Sequence, residues 1–348
     1  DSPRFEEYKL EWNKASELKK DDLVVFPRNK SINKEIVFDL VDYLPDEKVL
    51  YDDKYVWYEI GTNKLETKKI NRFISYNEDF AKLLGYFVAE GYTQINYDRR
   101  TYRFGFGFPR EEKDYVEEVQ KLLNDIFNLS SIVREHENRL ATSVICDSKV
   151  VAIFLRSLCG EGANHKHIPY EVVEKSSDDL VRVLISHMFR GDGSCSDITS
   201  DSGSLRIKYT TTSIELAYQL RMLLSRVGYW GSIKTRAKQQ DNWHEEYSLC
   251  LSGAQLLRWN DDFGGFTIPI KEQNFYRNDS FYIDDNYIYL KIKEVGREEY
   301  TGKVYDLSVE EDTSYVANSM AVHNSAAGAI VAYTLGITKI DPIKYSLL

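Results

Sequence analysis

The sequence predicts a mostly β protein that is interrupted by an α+β domain of two pseudo-symmetric αββαββα-type repeats. Three observations favour this organisation. At 348 residues the chain is long enough for two or more folding units, and its 25 Tyr and 16 Phe are typical of β-rich packing. Apolar segments ending in an acid recur roughly a hundred residues apart. Short strand-like segments, such as YLKIKEV and KVYDLSV, lie outside the repeated region.

Two segments of the same character mark the repeats: LLGYFVAEG at residues 83–91 and ISHMFRGDG at residues 185–193. Each is apolar, has the length of a helix, and ends in an acid followed by glycine, with Glu90 and Asp192 as the acids. Other landmarks recur at nearly the same offset: RFGFGF with RIKYTT, LLNDIFNLSSI with LLSRVGYWGSI, and SVICDS with SLCLSG. The pattern predicts two similar subdomains related by a pseudo-two-fold axis.

The two acid-tipped helices predict a carboxylate pair. If they pack along the axis, the small residues Gly85, Ala89 and Gly191 permit close backbone approach and bring Glu90 and Asp192 together. Two clustered carboxylates repel each other unless cations bind, and hard oxygen ligands suit Mg²⁺. Paired metal sites beside a phosphate promote in-line hydrolysis. Glu90 and Asp192 are therefore the candidate Mg²⁺ ligands and catalytic acids.

The alternation of residues in the strand-like segments after each acid-tipped segment predicts a sheet face that can contact DNA. Aromatic residues alternate with Arg103 in the first repeat, and apolar residues alternate with Arg206 and Lys208 in the second. The net charge of −10 argues against a protein that coats nucleic acid, but the second repeat is locally basic. An ordinary solvated face is the alternative. The candidate DNA contacts are Arg103, Arg206, Lys208, Lys234, Arg236 and Lys238.

A His-Asn-Ser sequence near the end of the chain has the groups for self-cleavage. The side-chain amide of Asn324 can attack its own backbone carbonyl, which closes a succinimide and releases the amine of Ser325. His323 can donate a proton at that carbonyl, and the Ser325 hydroxyl is a nucleophile for acyl transfer. Upstream, Asp306 stands in a strand-like segment where an unpaired carboxylate is unexpected.

Residues 304–324, with VYDLSV, YVANSM and the terminal VHN, resemble the C-terminal splicing motifs of inteins. The resemblance implies a Hedgehog/intein-like horseshoe of strands that splices without a cofactor. It implies that Asn324 cyclises with assistance from His323, that Ser325 is the first nucleophile of the C-extein, and that Asp306 tunes that nucleophile. Residues 325–348 resemble a stretch of the bacterial DNA polymerase III alpha subunit, which implies that they are C-extein.

The first residues of the chain indicate which of the N-terminal splicing motifs it contains. WNKASELKKDDLVVFP resembles the intein segment that follows the N-terminal splicing motifs, but neither a Cys or Ser at the first position nor a Thr-x-x-His segment precedes it. We therefore expect an intein without its N-terminal piece. Its partner for splicing in trans would be a complementary N-terminal intein fragment.

The two acid-tipped helices also resemble the paired signature motifs of LAGLIDADG homing endonucleases, and GANHKHIPYEVV is typical of intein-borne members. This resemblance implies a monomer that cuts a long asymmetric double-stranded DNA target in the host polymerase gene, with Mg²⁺ bound by Glu90 and Asp192. Arg139 and His244 stand near positions where the family has lysine, and they are further candidate catalytic residues. Two alternatives remain: a free-standing homing endonuclease and a catalytically decayed DNA-binding module.

The resemblances together imply a discontinuous organisation. Residues 1–73 begin the splicing domain, 74–276 form the endonuclease with repeats at about 74–165 and 166–276, 277–324 complete the splicing domain, and 325–348 are C-extein. No apolar run approaches the roughly 20 residues of a membrane helix, and no signal peptide opens the chain. We therefore expect a cytoplasmic protein with no membrane partner.

Overall fold

The computed structural model describes residues 10–44, 48–60, 65–136, 140–196, 205–237, 244–270, 281–302, 314–317 and 320–323. The chain forms two compact units, one from Asp1–Arg28 with Asp279–Leu348 and the other from Asn29–Asn278. Within the described residues, no helix combines the length and apolar character needed to cross a membrane.

The elements follow one another along the chain as a run of short strands, the helices and sheets of the repeats, and a final set of strands. The helices are α1 (Glu78–Glu90), α2 (Lys113–Phe127), α3 (Lys149–Cys159), α4 (Tyr170–Lys175), α5 (Asp178–Asp192), α6 (Ile214–Arg226) and α7 (Trp259–Asp262). The strands are β1 (Leu23–Pro27), β2 (Val37–Asp39), β3 (Val49–Tyr51), β4 (Tyr55–Ile60), β5 (Leu65–Glu66), β6 (Ile70–Asn71), β7 (Phe73–Ser75), β8 (Gly91–Asn96), β9 (Thr101–Pro109), β10 (Ile132–His136), β11 (Ala141–Asp147), β12 (Gly193–Cys195), β13 (Arg206–Thr211), β14 (Ser232–Arg236), β15 (Glu246–Ser252), β16 (Phe281–Ile283), β17 (Tyr287–Lys291), β18 (Ser314–Ala317) and β19 (Met320–His323).

The unit made from the two ends of the chain consists, in its described residues, of antiparallel strands and one short 3-10 turn at Ala15–Glu17. β1, β17 and β16 form a sheet in which the buried Phe26 lies opposite Ile288. β18 and β19 form a hairpin in which Ser314 lies opposite His323. The described part is thus mainly β, as predicted, whereas the horseshoe shape stays a prediction.

The second unit contains the two repeats. The first runs α1, β8, β9, α2, β10, β11, α3, and its sheet has the order β10-β11-β9-β8. The second runs α5, β12, β13, α6, β14, β15 and ends in a 3-10 turn at Ala254–Arg258 followed by α7, with the sheet order β12-β13-β15-β14. This order of elements agrees with the predicted αββαββα pattern.

The central helices α1 and α5 begin and end in the same way. Asn77 caps α1 by accepting a hydrogen bond from the Phe80 amide at 3.0 Å, and Ser177 caps α5 through the Leu180 amide at 3.3 Å. Each helix ends at its acid, because the glycine that follows is extended and begins the next strand. Glu90 and Asp192 therefore occupy equivalent helix ends.

The residues before the first repeat pack with the repeats. The Phe38 ring on β2 lies 5.7 Å from the ring of Phe80 on α1 and 6.2 Å from that of Phe154 on α3. Phe38 and its neighbours Ile36 and Leu40 are buried in the same core as the repeat helices. This packing explains why the compact unit begins at Asn29, although the domain boundary expected at residue 73 stays a prediction.

Candidate functional site

The two central helices touch through small residues. A β-carbon added to Gly191 would lie 2.6 Å from the Ala89 β-carbon and 2.9 Å from Glu90 Cγ. One added to Gly85 would lie 2.7 Å from the backbone carbonyl oxygen of Leu184. The predicted close approach of α1 and α5 is therefore confirmed, and it carries both acids to the same end of the helix pair.

A cleft of about 440 Å³ opens where these helices end. Asp192 and Lys166 both line it, together with backbone and side chains from β8, β13 and the loop before α4. Its lining residues are Phe87, Val88, Ala89, Gly91, Tyr92, Thr93, Gly160, Gly162, Ala163, Lys166, Asp192, Thr210, Thr211, Thr212 and Glu246. Residues of both repeats thus meet at this cleft.

The environment of the two acids favours their neutral forms. Burial raises the pKa of Glu90 to about 7, with further contributions from the Asp192 and Glu112 carboxylates and opposition from Lys166. Burial likewise raises the pKa of Asp192 to about 6, although the Lys166 charge and a hydrogen bond from the Tyr209 hydroxyl at 3.3 Å oppose the shift. The pair therefore lies where more positive charge would be stabilising.

Lys166 is the functional candidate that the sequence reasoning missed. Its ammonium group is buried and donates to the carbonyl oxygens of Phe87, Val88 and Gly91, at the end of α1. Burial lowers its pKa to about 8, against the influence of Cys159 and the two acids. The sequence signal that could have identified this residue is the segment GANHKHIPYEVV, which resembles intein-borne endonucleases and contains Lys166.

The donor chemistry of the two acids fits a divalent cation. Both contribute hard carboxylate oxygens, and their raised pKa values reflect burial without sufficient positive charge. Within the described residues, no group of three or more His, Cys, Asp and Glu side chains forms a self-contained metal cage. A cation here would therefore also need oxygens from water or from a bound phosphate.

The predicted DNA contacts of the second repeat lie on one face of its sheet. Lys208 on β13 lies opposite Cys250 on β15, and Lys234 on β14 lies opposite Ser248. Arg206 and Arg236 occupy positions with the same orientation on their strands, because they are two residues from Lys208 and Lys234. The opposite face carries the buried residues Ile207, Tyr209, Leu249 and Leu251.

Not every candidate residue can be placed. Arg139, Lys238, Asp306, Asn324 and Ser325 lie outside the described residues. His244 is exposed two residues before β15 and is not among the described residues that line the cleft, whereas Glu246 is.

His323 ends β19 in the unit formed by the chain ends. Its ring lies edge-on to Trp12, with 5.2 Å between ring centroids and an interplanar angle of 78°. A residue near the start of the chain thus contacts the histidine that precedes Asn324.

Comparison with known families gives one match that spans nearly the whole chain. The sequence model of the family described as an intein splicing domain matches residues 5–324. This match ends at Asn324.

Similar proteins include much longer chains. The ATP-dependent DNA helicase Hel308 of Thermococcus kodakarensis is 28% identical over 336 residues, which are 93% of this chain and 28% of that protein. A DNA polymerase of Thermococcus litoralis is 26% identical over 327 residues, covering 83% of this chain and 18% of that protein. The chain therefore spans less than a third of the length of either relative.

Solved structures with a similar fold include two homing endonucleases. I-DmoI in complex with DNA and Mn has a TM-score of 0.41 at 12% identity and covers 56% of this chain and 99% of that chain. I-WcaI bound to its DNA recognition sequence has a TM-score of 0.39 at 15% identity and covers 58% of this chain and 87% of that chain.

Proposed function

The chain belongs to the family of intein splicing domains, and we propose that its two repeats form a Mg²⁺-dependent endonuclease that cuts double-stranded DNA. The observation that carries this proposal is the convergence of three charged groups: Asp192 and Lys166 line one cleft, and both act electrostatically on Glu90 at the end of α1. Two half-buried carboxylates and a buried ammonium group are charges that suit phosphodiester hydrolysis.

Glu90 and Asp192 would hold the divalent cations. When bound by these carboxylates, Mg²⁺ would supply positive charge that stabilises the phosphate and an ionised water nucleophile. The Tyr209 hydroxyl donates to Asp192 and fixes the orientation of that carboxylate. The partial burial that raises the pKa of both acids also strengthens the electrostatic interactions among them and Lys166.

Lys166 stabilises negative charge on the phosphate or on the leaving oxygen. The carbonyl oxygens of Phe87, Val88 and Gly91 hold its ammonium group in one position, so little reorganisation is needed during the reaction. Because burial lowers its pKa to about 8, Lys166 can also transfer a proton near neutral pH. We propose Lys166 for this role in addition to Arg139 and His244, which stay predictions from the sequence.

The two sheets provide the DNA-binding surface. Arg206, Lys208, Lys234 and Arg236 share the face of the second sheet that is turned away from its helices. Cationic side chains spaced along adjacent strands can follow a DNA backbone, while polar side chains between them reach base edges. The natural target is proposed to be the host gene that is not interrupted by the intein-coding segment.

The nuclease proposal is tested with a linear duplex that carries this uninterrupted gene. We expect the protein to cut both strands at one site in Mg²⁺, and Asp192→Asn to bind the same duplex without cutting it. A matched control is Asp125→Asn on α2, which should cut normally because its exposed carboxylate lies away from the cleft. Binding without cleavage in either Mg²⁺ or Mn²⁺ would support the decayed DNA-binding module instead.

A second activity is proposed at the C-terminal junction. The family match extends to Asn324, and His323 lies at the end of β19 immediately before it. In the proposed step, the Asn324 amide nitrogen attacks its own carbonyl carbon. The bond to the Ser325 nitrogen breaks and the amine leaves, with His323 as proton donor. Asp306 and Ser325 are proposed to act in the preceding acyl transfer.

Mass spectrometry of the stored protein tests the junction step. We expect slow loss of the peptide 325–348 and a new chain that ends in a succinimide at Asn324, whereas Asn324→Ala should stay intact. A chain that keeps residues 325–348 indefinitely would favour the free-standing endonuclease. The polymerase III alpha host, the monomeric state and the complementary N-terminal fragment stay predictions.

A further inference from the structure

The two sheets of the repeat unit have equivalent faces turned away from their helices. We call these the first open face and the second open face. The first open face carries Tyr92, Gln94, Asn96, Arg103, Arg134, Ser143 and Asp147 on strands β8 to β11. The second open face carries Ser194, Arg206, Lys208, Thr210, Lys234, Arg236, Glu246 and Ser248 on strands β12 to β15. Their charges differ although their folds correspond.

The first open face carries two cations, of which Arg134 on β10 is exposed and Arg103 is paired. Arg103 on β9 lies opposite Asp147 on β11, and its Nε and Nη2 donate to the two carboxylate oxygens at 2.8 and 3.1 Å. The hydrogen bond and charge of Asp147 raise the pKa of Arg103. When two N–H groups of a guanidinium donate to one carboxylate, the orientation of the guanidinium is fixed. The carboxylate also neutralises most of the charge that would attract a phosphate.

The rest of the first open face is mostly uncharged and hydrogen-bonding. Tyr92 lies across the strand over Gly105, where an added β-carbon would stand 2.7 Å from the tyrosine hydroxyl oxygen. Gln94 and Asn96 continue the same side of β8 and are exposed. Amide and hydroxyl groups of this kind distinguish bases by their edges and contribute little to long-range attraction.

On the second open face, most of the cations are exposed and can contact DNA phosphates. Arg206, Lys208 and Lys234 are exposed, and none of them forms an ion pair with any residue in the described part of the chain. Arg236 is the exception, with Nη1 3.5 Å from a carboxylate oxygen of Glu246. Along each strand the two cations are two residues apart, which is about 7 Å. The strands β13 and β14 flank β15, so the two pairs of cations are separated by roughly 10 Å across the sheet.

We infer that the second open face supplies most of the electrostatic binding to DNA, and that Asp147 withholds Arg103 from the DNA backbone on the first. This inference rests on the proposed function, and it means that the protein binds the two halves of the DNA target through different kinds of contact. The half under the second open face is held through its phosphates. The half under the first is held through base edges.

The salt dependence of binding measures the charge contributed by each face. The probe is a fluorescein-labelled duplex of about 30 base pairs and arbitrary sequence, in EDTA, titrated by anisotropy at roughly 50 to 200 mM salt. The logarithm of the binding constant falls with the logarithm of salt concentration by about 0.9 per neutralised phosphate. The variants are Lys208→Gln with Lys234→Gln, Arg103→Gln and Asp147→Asn, each checked for an unchanged circular dichroism spectrum.

We expect the double lysine variant to lower the slope by about 2, and Arg103→Gln to change it by much less than 1. Asp147→Asn should release Arg103, raise the slope by about 1 and tighten binding several-fold. The matched control is Lys113→Gln with Lys121→Gln, which removes two exposed cations from α2 and should leave the slope unchanged.

One outcome would contradict the division between the two faces, and a different outcome would contradict the proposed endonuclease function. If the wild type binds DNA but Arg103→Gln lowers the slope as much as one lysine does, or Asp147→Asn has no effect, the division between the faces is wrong. If the wild type shows no salt-dependent binding at all, the proposed DNA endonuclease itself is excluded.

Discussion

Gly191 of α5 lies so close to Ala89 of α1 that a β-carbon on Gly191 would stand 2.6 Å from the Ala89 side chain. Real β-carbons do not approach that closely, so the backbone of α5 at Gly191 packs directly against the Ala89 side chain of α1. The contact sits one residue before each acid, and it therefore fixes the separation of Glu90 and Asp192. Several properties of the site depend on this one relationship.

The first prediction concerns the helix contact itself. Gly85→Val should destabilise the protein by about 1–3 kcal/mol, because the added side chain meets the Leu184 carbonyl oxygen, which cannot move away without bending α5. Urea denaturation measures the change. Gly107→Val is the matched control, since no atom lies within 4 Å of its added β-carbon. Equal stability of the two variants would show that the helices are not held this closely.

A second prediction concerns the cost of the buried acids. Because the pKa of Glu90 is raised from 4.5 to about 7, the folded state binds more protons than the unfolded state between these values. Stability should therefore fall as pH rises through this range. In metal-free buffer near pH 8, Glu90→Gln should be more stable than the wild type by on the order of 1–3 kcal/mol.

Thermal denaturation in EDTA checks this second prediction. Glu66→Gln removes an exposed carboxylate from β5 and serves as the control, with no change expected. A Glu90→Gln variant that melts at or below the wild-type temperature would mean that Glu90 is adequately stabilised by its surroundings without a cation.

The third prediction separates chemistry from DNA binding at Lys166. Lys166→Met should reduce the single-turnover cleavage rate by about 100-fold or more, because it removes a positioned positive charge. Binding of the same duplex should change little, since Lys166 is a buried part of the cleft wall and its ammonium group already donates to three carbonyl oxygens. Lys121→Met on α2 is the control. A large loss of binding with unchanged cleavage of the bound fraction would assign Lys166 to DNA contact instead.

A fourth prediction concerns how low pH changes the stability of the protein through Glu118, a residue of α2 that contacts both α1 and α5. Glu118 accepts hydrogen bonds from the Tyr86 hydroxyl and from Arg190, both at 2.7 Å, and lies 3.7 Å from His187 Nε2. Burial opposes its ionisation. The nearby His187, the Tyr86 hydrogen bond and the Arg190 charge outweigh this and lower its pKa from 4.5 to about 2.

The sign for Glu118 follows from that lowered pKa. Its stabilisation is present above the unfolded value of 4.5 and is lost as pH falls toward 2. Glu118→Gln should therefore lower the unfolding free energy by on the order of 2 kcal/mol near neutral pH and by much less near pH 2. Urea denaturation across this range checks it, with the exposed Glu117→Gln as control. A loss that is the same at both pH values would contradict it.

The sequence predicted the architecture of the repeats because their signals are local. An apolar segment ending in Glu90 or Asp192, then a glycine and an alternating strand, predicts a helix, its end and the sheet that follows. The meeting of the acids was also predictable, because small residues on both helices allow the helices to approach closely where the acids lie.

What the sequence did not reveal depends on contacts between distant residues. Lys166 reaches the Gly91 carbonyl oxygen across 75 positions, and Arg103 reaches Asp147 across 44. Neither contact follows from periodicity, since each depends on the register of elements that meet only in the folded chain. The packing of Phe38 with the repeat helices was missed for the same reason.

The most direct test of the central claim is whether the two acids bind a divalent cation as a pair. Melting temperatures are measured against increasing Mn²⁺ for the wild type, Glu90→Gln and Asp192→Asn, because a ligand that binds only the folded state stabilises it. We predict that the wild type starts least stable, gains stability with Mn²⁺ and approaches or passes the variants, which gain little. Equal gains in all three proteins would contradict a cation site at Glu90 and Asp192.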